Sequence, residues 1–143
     1  MSGGENCRTA EGISPRPTVL LVDDEPLIQW SLGEAIREAG YPVQLAGSAA
    51  DTRRVLVRLV PGPLVVILDL RLPDVVDLSL LQMLRLRRPD APVLVLSAWA
   101  SADTAADALA AGATRVMKKP FDVASVVAAV DDASRAARAA YTC

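Results

Sequence analysis

The sequence contains no histidine. That excludes Ser-His-Asp and Cys-His catalysis, His-containing zinc sites and a histidine phosphocarrier. Cysteine is scarce too. Cys7 and Cys143 lie at opposite ends of the chain, and no CxxC spacing exists. Two free thiols are expected rather than a disulfide, a redox pair or a thiolate metal site. No apolar run approaches the ~20 residues needed to cross a bilayer. The stretch up to Pro17 is polar and lacks the apolar core of a signal peptide. No membrane association and a cytoplasmic location are therefore expected. An excess of one charge sign is also missing: 15 basic residues stand against 17 acidic ones, for a net charge of −2. Without a basic stripe, nothing invites direct contact with nucleic acid. Any chemistry must use carboxylates, hydroxyls, Lys, Arg or a bound metal.

What is present is apolar sequence in a regular order. With 52% hydrophobic residues in a chain of 143, one domain can bury a real core. Runs of strand length alternate with segments of helical period five times. The first strand is expected from Thr18 through Asp23. A helix follows, with Pro26 in its first turn and Ile28, Leu32, Ala35, Ile36 and Ala39 at helical spacing. Gly40 is expected to cap it in a left-handed conformation, and Pro42 stops continuation. A short second strand around Val43 to Ala46 leads to a helix with Ser48 as N-cap, ended by Pro61-Gly62-Pro63. The third strand, from Leu64 to Asp69, is apolar at every position before the Asp, as in a strand covered on both faces. Further pairs follow: a helix from about Leu78 to Arg87, a strand from Pro92 to Ser97, and an alanine-rich helix from about Ala102 to Ala111 ended by Gly112. A strand from Arg115 to Lys118 and a helix after Asp122 complete the series. The alternation predicts an α/β fold. It is a doubly wound (βα)5 unit with a five-stranded parallel sheet in the order 2-1-3-4-5. Residues 1–17 are expected to form a flexible N-terminal extension and residues 18–140 the domain.

In that topology ligands sit at the carboxyl ends of the strands. Those ends carry Asp23-Asp24-Glu25, Asp69, Ser97 and Lys118-Lys119. Each alone is an ordinary cap, turn or surface residue. Together they predict one crevice with several carboxylates, a hydroxyl and an ammonium. Carboxylates so close repel one another, and a hard dication with oxygen ligands removes the conflict. Lys and Ser suit a bound phosphoryl group, and an Asp beside them could act as nucleophile.

The chain resembles the receiver domains of two-component response regulators. The motifs that carry the resemblance are Val19-Leu-Leu-Val-Asp-Asp-Glu25, Ile67-Leu-Asp-Leu-Arg-Leu-Pro73, Val95-Leu-Ser-Ala98 and Lys119-Pro-Phe121, with Gly112-Ala113 before the fifth strand. The match runs from about Thr18 to Ala136. The resemblance implies that Asp69 is the phosphoacceptor. Asp24 and Asp69 would hold Mg²⁺ with the backbone carbonyl of Arg71, and Asp23 would complete the acidic pocket. Ser97 would be the switch hydroxyl and Lys119 the cation that meets the phosphoryl group, with Lys119-Pro120 cis. The implied donor is a phosphohistidine on a sensor histidine kinase. Output would pass by protein contact to a downstream target or to an output domain beyond this chain, because ~23 residues after Pro120 leave no room for one. A homodimer is a further possible assembly. Trp30 and Arg71 resemble residues in receivers of enhancer-binding transcription activators.

Three positions depart from the family pattern. Val116 stands where an aromatic normally swings inward. Asp77 stands where the loop usually has Gly, so it must take a Gly-like conformation or reshape the loop. Ser97 replaces the commoner Thr. Trp99 and Arg71 occupy positions that tune dephosphorylation in this family, and a bulky Trp99 predicts a long-lived phosphoryl state. Two other readings compete with this one. A pseudo-receiver, a binding module without phosphotransfer, is favoured by Val116 and Asp77 and opposed by the intact Asp23, Asp24, Asp69, Ser97 and Lys119. A haloacid-dehalogenase-like phosphatase would need a second acid where Arg71 stands.

Overall fold

The computed structural model describes residues 16–75, 77–98 and 102–141, with residues 102 and 103 described by backbone alone. Cys7, Cys143, Trp99 and residues 1–15 of the expected extension lie outside the described residues.

Ten elements alternate along the chain. They are β1 (Thr18–Val22), α1 (Pro26–Glu38), β2 (Val43–Ala46), α2 (Ala49–Arg58), β3 (Leu64–Asp69), α3 (Ser79–Arg87), β4 (Val93–Ser97), α4 (Ala102–Ala110), β5 (Arg115–Lys118) and α5 (Val123–Tyr141). The strands pair in the order β2-β1-β3-β4-β5, the order expected from the alternation. Every pairing is parallel. Parallel neighbours require a crossover, and the helices supply it.

Alternation along the central strands splits the core in two. Leu20, Val22, Val66, Leu68, Val93 and Val95 face Leu80, Leu81 and Leu84 of α3 and Ala108 of α4. Val19, Leu21, Val65, Ile67, Leu94 and Leu96 face Leu32 and Ile36 of α1 and Val126, Ala129 and Val130 of α5. All six residues of β3 are buried. Burial of each large side chain contributes about 1.5–3 kcal/mol. This central strand is therefore the most firmly held platform for its terminal residue, Asp69.

The helix ends follow local chemistry. Pro26 opens α1, where a missing N–H costs nothing. At its other end Gly40 takes φ +100°. Its N–H reaches the Arg37 carbonyl at 2.9 Å and the Tyr41 N–H reaches Ile36 at 3.3 Å, closing the last turn. Ser48 caps α2 by accepting the Asp51 N–H at 3.0 Å. Arg16, placed by the sequence within the extension, donates to the Ala39 carbonyl at 3.2 Å. Its guanidinium lies 4.9 Å from the centre of the Tyr41 ring.

Asp77 does not take the Gly-like conformation. No non-glycine residue among those described has positive φ. Its carboxylate instead accepts the Ser79 N–H at 3.0 Å at the start of α3. A short polar side chain thus satisfies an otherwise orphaned helix donor.

Candidate phosphoryl and metal site

Three strand tips converge. β1 stops at Val22, one residue earlier than the sequence pattern suggested, and Asp23 begins the loop into α1. Its backbone N–H is still held by the Ala46 carbonyl of β2 at 3.0 Å, and its Oδ1 accepts the Glu25 N–H at 2.9 Å. This Asx turn folds the loop back, so that Asp24 and Glu25 line the cavity above. Asp69 closes β3, and its Oδ1 accepts the Arg71 N–H at 3.0 Å. Lys119 follows β5, with its N–H on the Ser97 carbonyl at 2.9 Å. The Lys119-Pro120 bond is cis.

The side chains form one charged cluster. Carboxylate oxygens of Asp23, Asp24 and Asp69 all lie within 4.8 Å of one another. Lys119 Nζ sits 3.2 Å from Asp23 Oδ2, 3.3 Å from Asp69 Oδ2 and 3.6 Å from Glu25 Oε1. Asp23 and Asp69 are buried, whereas Asp24 is exposed. Asp24, Glu25, Asp69, Arg71, Ala98 and Lys119 line a cavity of about 260 Å³, with Asp23 buried behind it. Ser97, buried at the end of β4, lines a neighbouring cavity with Leu70, Arg71, Asp77, Leu78, Thr104 and Asp107. Arg71 is common to both cavities.

Burial raises the carboxyl of Asp23 above its ordinary value, and the Asp69 charge adds to the rise; the Glu25 N–H and Lys119 oppose it. Burial likewise raises Asp69, against the Arg71 N–H and Lys119. For Lys119, burial alone would lower the ammonium. The charges of Asp69 and Asp23 outweigh it and hold the group above its usual value. The shared cause is two buried anions served by one half-buried cation. The cluster carries more negative charge than Lys119 can neutralise, the condition under which a dication binds.

The donor set fits Mg²⁺: three carboxylates from the β1–α1 loop and the end of β3, beside a cavity with room for coordinated water. A soft or imidazole-seeking metal finds no partner among these oxygens. Val116, half-buried, packs with the core on the α2–α4 side.

Three further residues tie into the site through partnerships that the sequence pattern does not reveal. Glu25 was legible as part of the acidic run, but not as a partner of Lys119. Gln29 of α1 donates to the Asp23 carbonyl at 2.6 Å and to the Ala46 carbonyl at 3.3 Å. Asp74, just after Pro73, accepts the N–H groups of Ala49 and Ala50 at 2.8 and 3.0 Å. Its only sequence signal was a turn-forming Pro-Asp pair.

Comparisons with known proteins agree with this geometry. The family model described as the response regulator receiver domain matches residues 19–131. The chain is 36% identical over 110 residues to a probable transcriptional regulatory protein, TcrX, of Mycobacterium tuberculosis, covering 77% of this chain and 46% of that one. It is 33% identical over 118 residues to the DNA-binding transcriptional regulator NtrC of Escherichia coli, covering 82% and 25%. It is 34% identical over 118 residues to the photosynthetic apparatus regulatory protein RegA of Rhodovulum sulfidophilum, covering 82% and 63%. The chain thus spans a quarter to somewhat under two thirds of these relatives. Among solved structures, the beryllofluoride-activated NtrC4 receiver domain dimer matches with TM-score 0.75 and 30% identity, covering 82% of this chain and 96% of that one. A Francisella response regulator receiver domain matches with TM-score 0.74 and 25% identity, covering 83% and 97%. With its (βα)5 sheet, its acidic strand tips and a family match over most of its length, this chain belongs to the response regulator receiver domain family.

Proposed function

We propose that this receiver domain is a phosphorylation-driven switch that takes a phosphoryl group onto Asp69 from a phosphohistidine of a sensor histidine kinase, with Mg²⁺ bound beside it. The observation that carries the proposal is the cluster itself. A buried Asp69 stands within 4.8 Å of two further carboxylates and 3.3 Å from Lys119, at the tip of the central strand.

In the reaction, one carboxylate oxygen of Asp69 attacks phosphorus. The new O–P bond forms as the N–P bond to the donor imidazole breaks. The bonding pair leaves with the imidazole nitrogen; the donor ring, protonated at its other nitrogen, departs as neutral histidine, and the product is an acyl phosphate on Asp69. The Arg71 N–H holds Oδ1 and orients the carboxylate. Lys119 keeps the pocket's charge in check beforehand and then exchanges a carboxylate partner for a phosphoryl oxygen. Asp24, Asp69 and the Arg71 carbonyl would hold the Mg²⁺, with Asp23 completing the pocket; when bound, the ion neutralises phosphoryl oxygens as charge redistributes. Ser97, at the end of β4, is the hydroxyl that turns to the phosphoryl group. Its movement carries the signal to the α4 side of the domain, where a protein target or an output domain reads it.

Incubation with acetyl phosphate and Mg²⁺, followed by intact-mass measurement, tests this. A gain of about 80 Da is expected, absent in Asp69→Asn and absent with EDTA. No gain in the wild-type protein, or an equal gain in the variant, refutes it.

A further inference from the structure

The two loops that carry the acidic pocket are both fastened to a third place. That place is the turn between β2 and α2, residues 46–50, on the sheet edge away from Lys119. Gln29 reaches it from α1, its amide spanning the Asp23 and Ala46 carbonyls at 2.6 and 3.3 Å. Asp74 reaches it from the β3–α3 loop. Leu72, Pro73, Asp74 and Val75 form a tight turn, with the Val75 N–H on the Leu72 carbonyl at 3.4 Å. Asp74 stands at its third position. Both of its carboxylate oxygens are engaged, one on the Ala49 N–H at 2.8 Å and one on the Ala50 N–H at 3.0 Å.

The turn is itself rigidly built. Ser48 Oγ accepts the Asp51 N–H at 3.0 Å, and Asp51 Oδ2 accepts the Gly47 N–H at 3.2 Å. This pair is a variant of the capping box in which Asp51 reaches the amide of Gly47, one residue before the cap, instead of that of Ser48. Ser48 therefore serves α2 from within, whereas Asp74 serves the first N–H groups of the same helix from another loop. For α2 alone a water molecule would satisfy Ala49 and Ala50. In the β3–α3 loop, Asp74 provides a side-chain tether to another element. Two charge-assisted bonds to adjacent amides fix both its position and its direction.

We propose that Asp74 and Gln29 are positioning residues for the dication site: they pin the β3–α3 and β1–α1 loops to the β2–α2 turn, and so set the Arg71 carbonyl and the Asp23-Asp24 pair at the spacing the ion requires. The part that concerns Mg²⁺ rests on the function proposed above; the pinning of the loops does not. Mg²⁺ demands near-ideal octahedral geometry, so small loop displacements weaken it more than they weaken a larger ion. Groups that orient ligands from behind typically change metal affinity by 10–100-fold.

The test compares Asp74→Ala, Asp74→Asn and Gln29→Leu with Ser48→Ala, which weakens the α2 cap without touching either tether. Hydrogen exchange on the metal-free protein reads the loops. Titration of tryptophan fluorescence with Mg²⁺ reads affinity. Asp74→Ala is expected to speed exchange in residues 70–75 and to weaken Mg²⁺ binding about tenfold, with Gln29→Leu acting on residues 23–25 in the same sense. Asp74→Asn, which keeps one acceptor, should fall between wild type and Asp74→Ala. Ser48→Ala should raise exchange in α2 and shift Mg²⁺ affinity by less than about twofold. If Ser48→Ala weakens Mg²⁺ as much as Asp74→Ala does, the effect is helix stability and the proposal falls. It falls equally if residues 70–75 exchange unchanged in Asp74→Ala. If the loops loosen as expected but the wild-type protein binds no Mg²⁺, the dication reading fails and the tether stands.

Discussion

Replacing Asp69 by Asn removes one of two buried negative charges while leaving an oxygen to accept the Arg71 N–H. In metal-free solution the terms compete. At an effective dielectric of about 20, the repulsion between Asp69 and buried Asp23 within 4.8 Å is worth at least ~3 kcal/mol. The attraction of Asp69 to Lys119 at 3.3 Å is worth ~5 kcal/mol on the same scale. Desolvation of a buried carboxylate adds several kcal/mol on the side of the neutral form. Lys119 also keeps Asp23 and Glu25 as partners in the variant. The balance favours the neutral side chain, in agreement with the upward displacement of the Asp69 carboxyl by burial. Asp69→Asn should therefore stabilise the metal-free protein by about 1–2 kcal/mol at pH 8, a rise of a few degrees in Tm.

The sign of the pH dependence follows from the same displacement. Between the unfolded and folded values of Asp69 the native state binds more protons than the unfolded chain. Stability then falls as pH rises through that window, and the penalty is complete above it. The advantage of the variant should be full above the folded value of Asp69 and vanish below about pH 3.9, where both states carry the proton. Urea unfolding followed by circular dichroism in EDTA, at pH 8 and near pH 4, measures both. Mg²⁺ at ten times its Kd should add about 1.4 kcal/mol to the wild type, and less to the variant. A less stable variant at pH 8, or an advantage unchanged near pH 4, refutes the reasoning.

Two further outcomes follow from the same geometry. Lys119→Met leaves Asp23 and Asp69 buried without their cation. It should cost about 2–4 kcal/mol in EDTA at pH 8, less at pH 5 as the raised carboxyls take up protons, and should slow labelling by acetyl phosphate in the mass assay. Gly112 has φ +112°, and a Cβ there would lie 2.4 Å from Cγ of Arg85; Gly112→Ala should cost about 1–3 kcal/mol in urea unfolding, with Mg²⁺ affinity unchanged.

The local choices of this fold were legible because they are settled within a few residues. An unbroken apolar run makes β3 a buried strand, Pro26 and Gly40 bound α1, and Ser48 caps α2. Five such pairs leave few topologies, and parallel winding sends Asp23, Asp69, Ser97 and Lys119 to the same end of the sheet. The types of group at the site could thus be read from the chain alone. Their partnerships could not, because each links segments far apart in sequence. Whether Lys119 meets Asp23, Glu25 or Asp69 depends on strand register and loop path. Asp74 capped a helix two elements back, where its sequence offered only a turn. Asp77 kept negative φ because an α3 amide was within reach of its carboxylate, a choice between strain and rebuilding that the bare pattern left open. Ser97 came to lie toward the α4 side because side chains at a strand end follow the pleat and the loops packed on them. Periodicity and turn chemistry are properties of neighbours along the chain; charge pairing and loop tethering are properties of neighbours in space, and those exist only once the sheet has assembled.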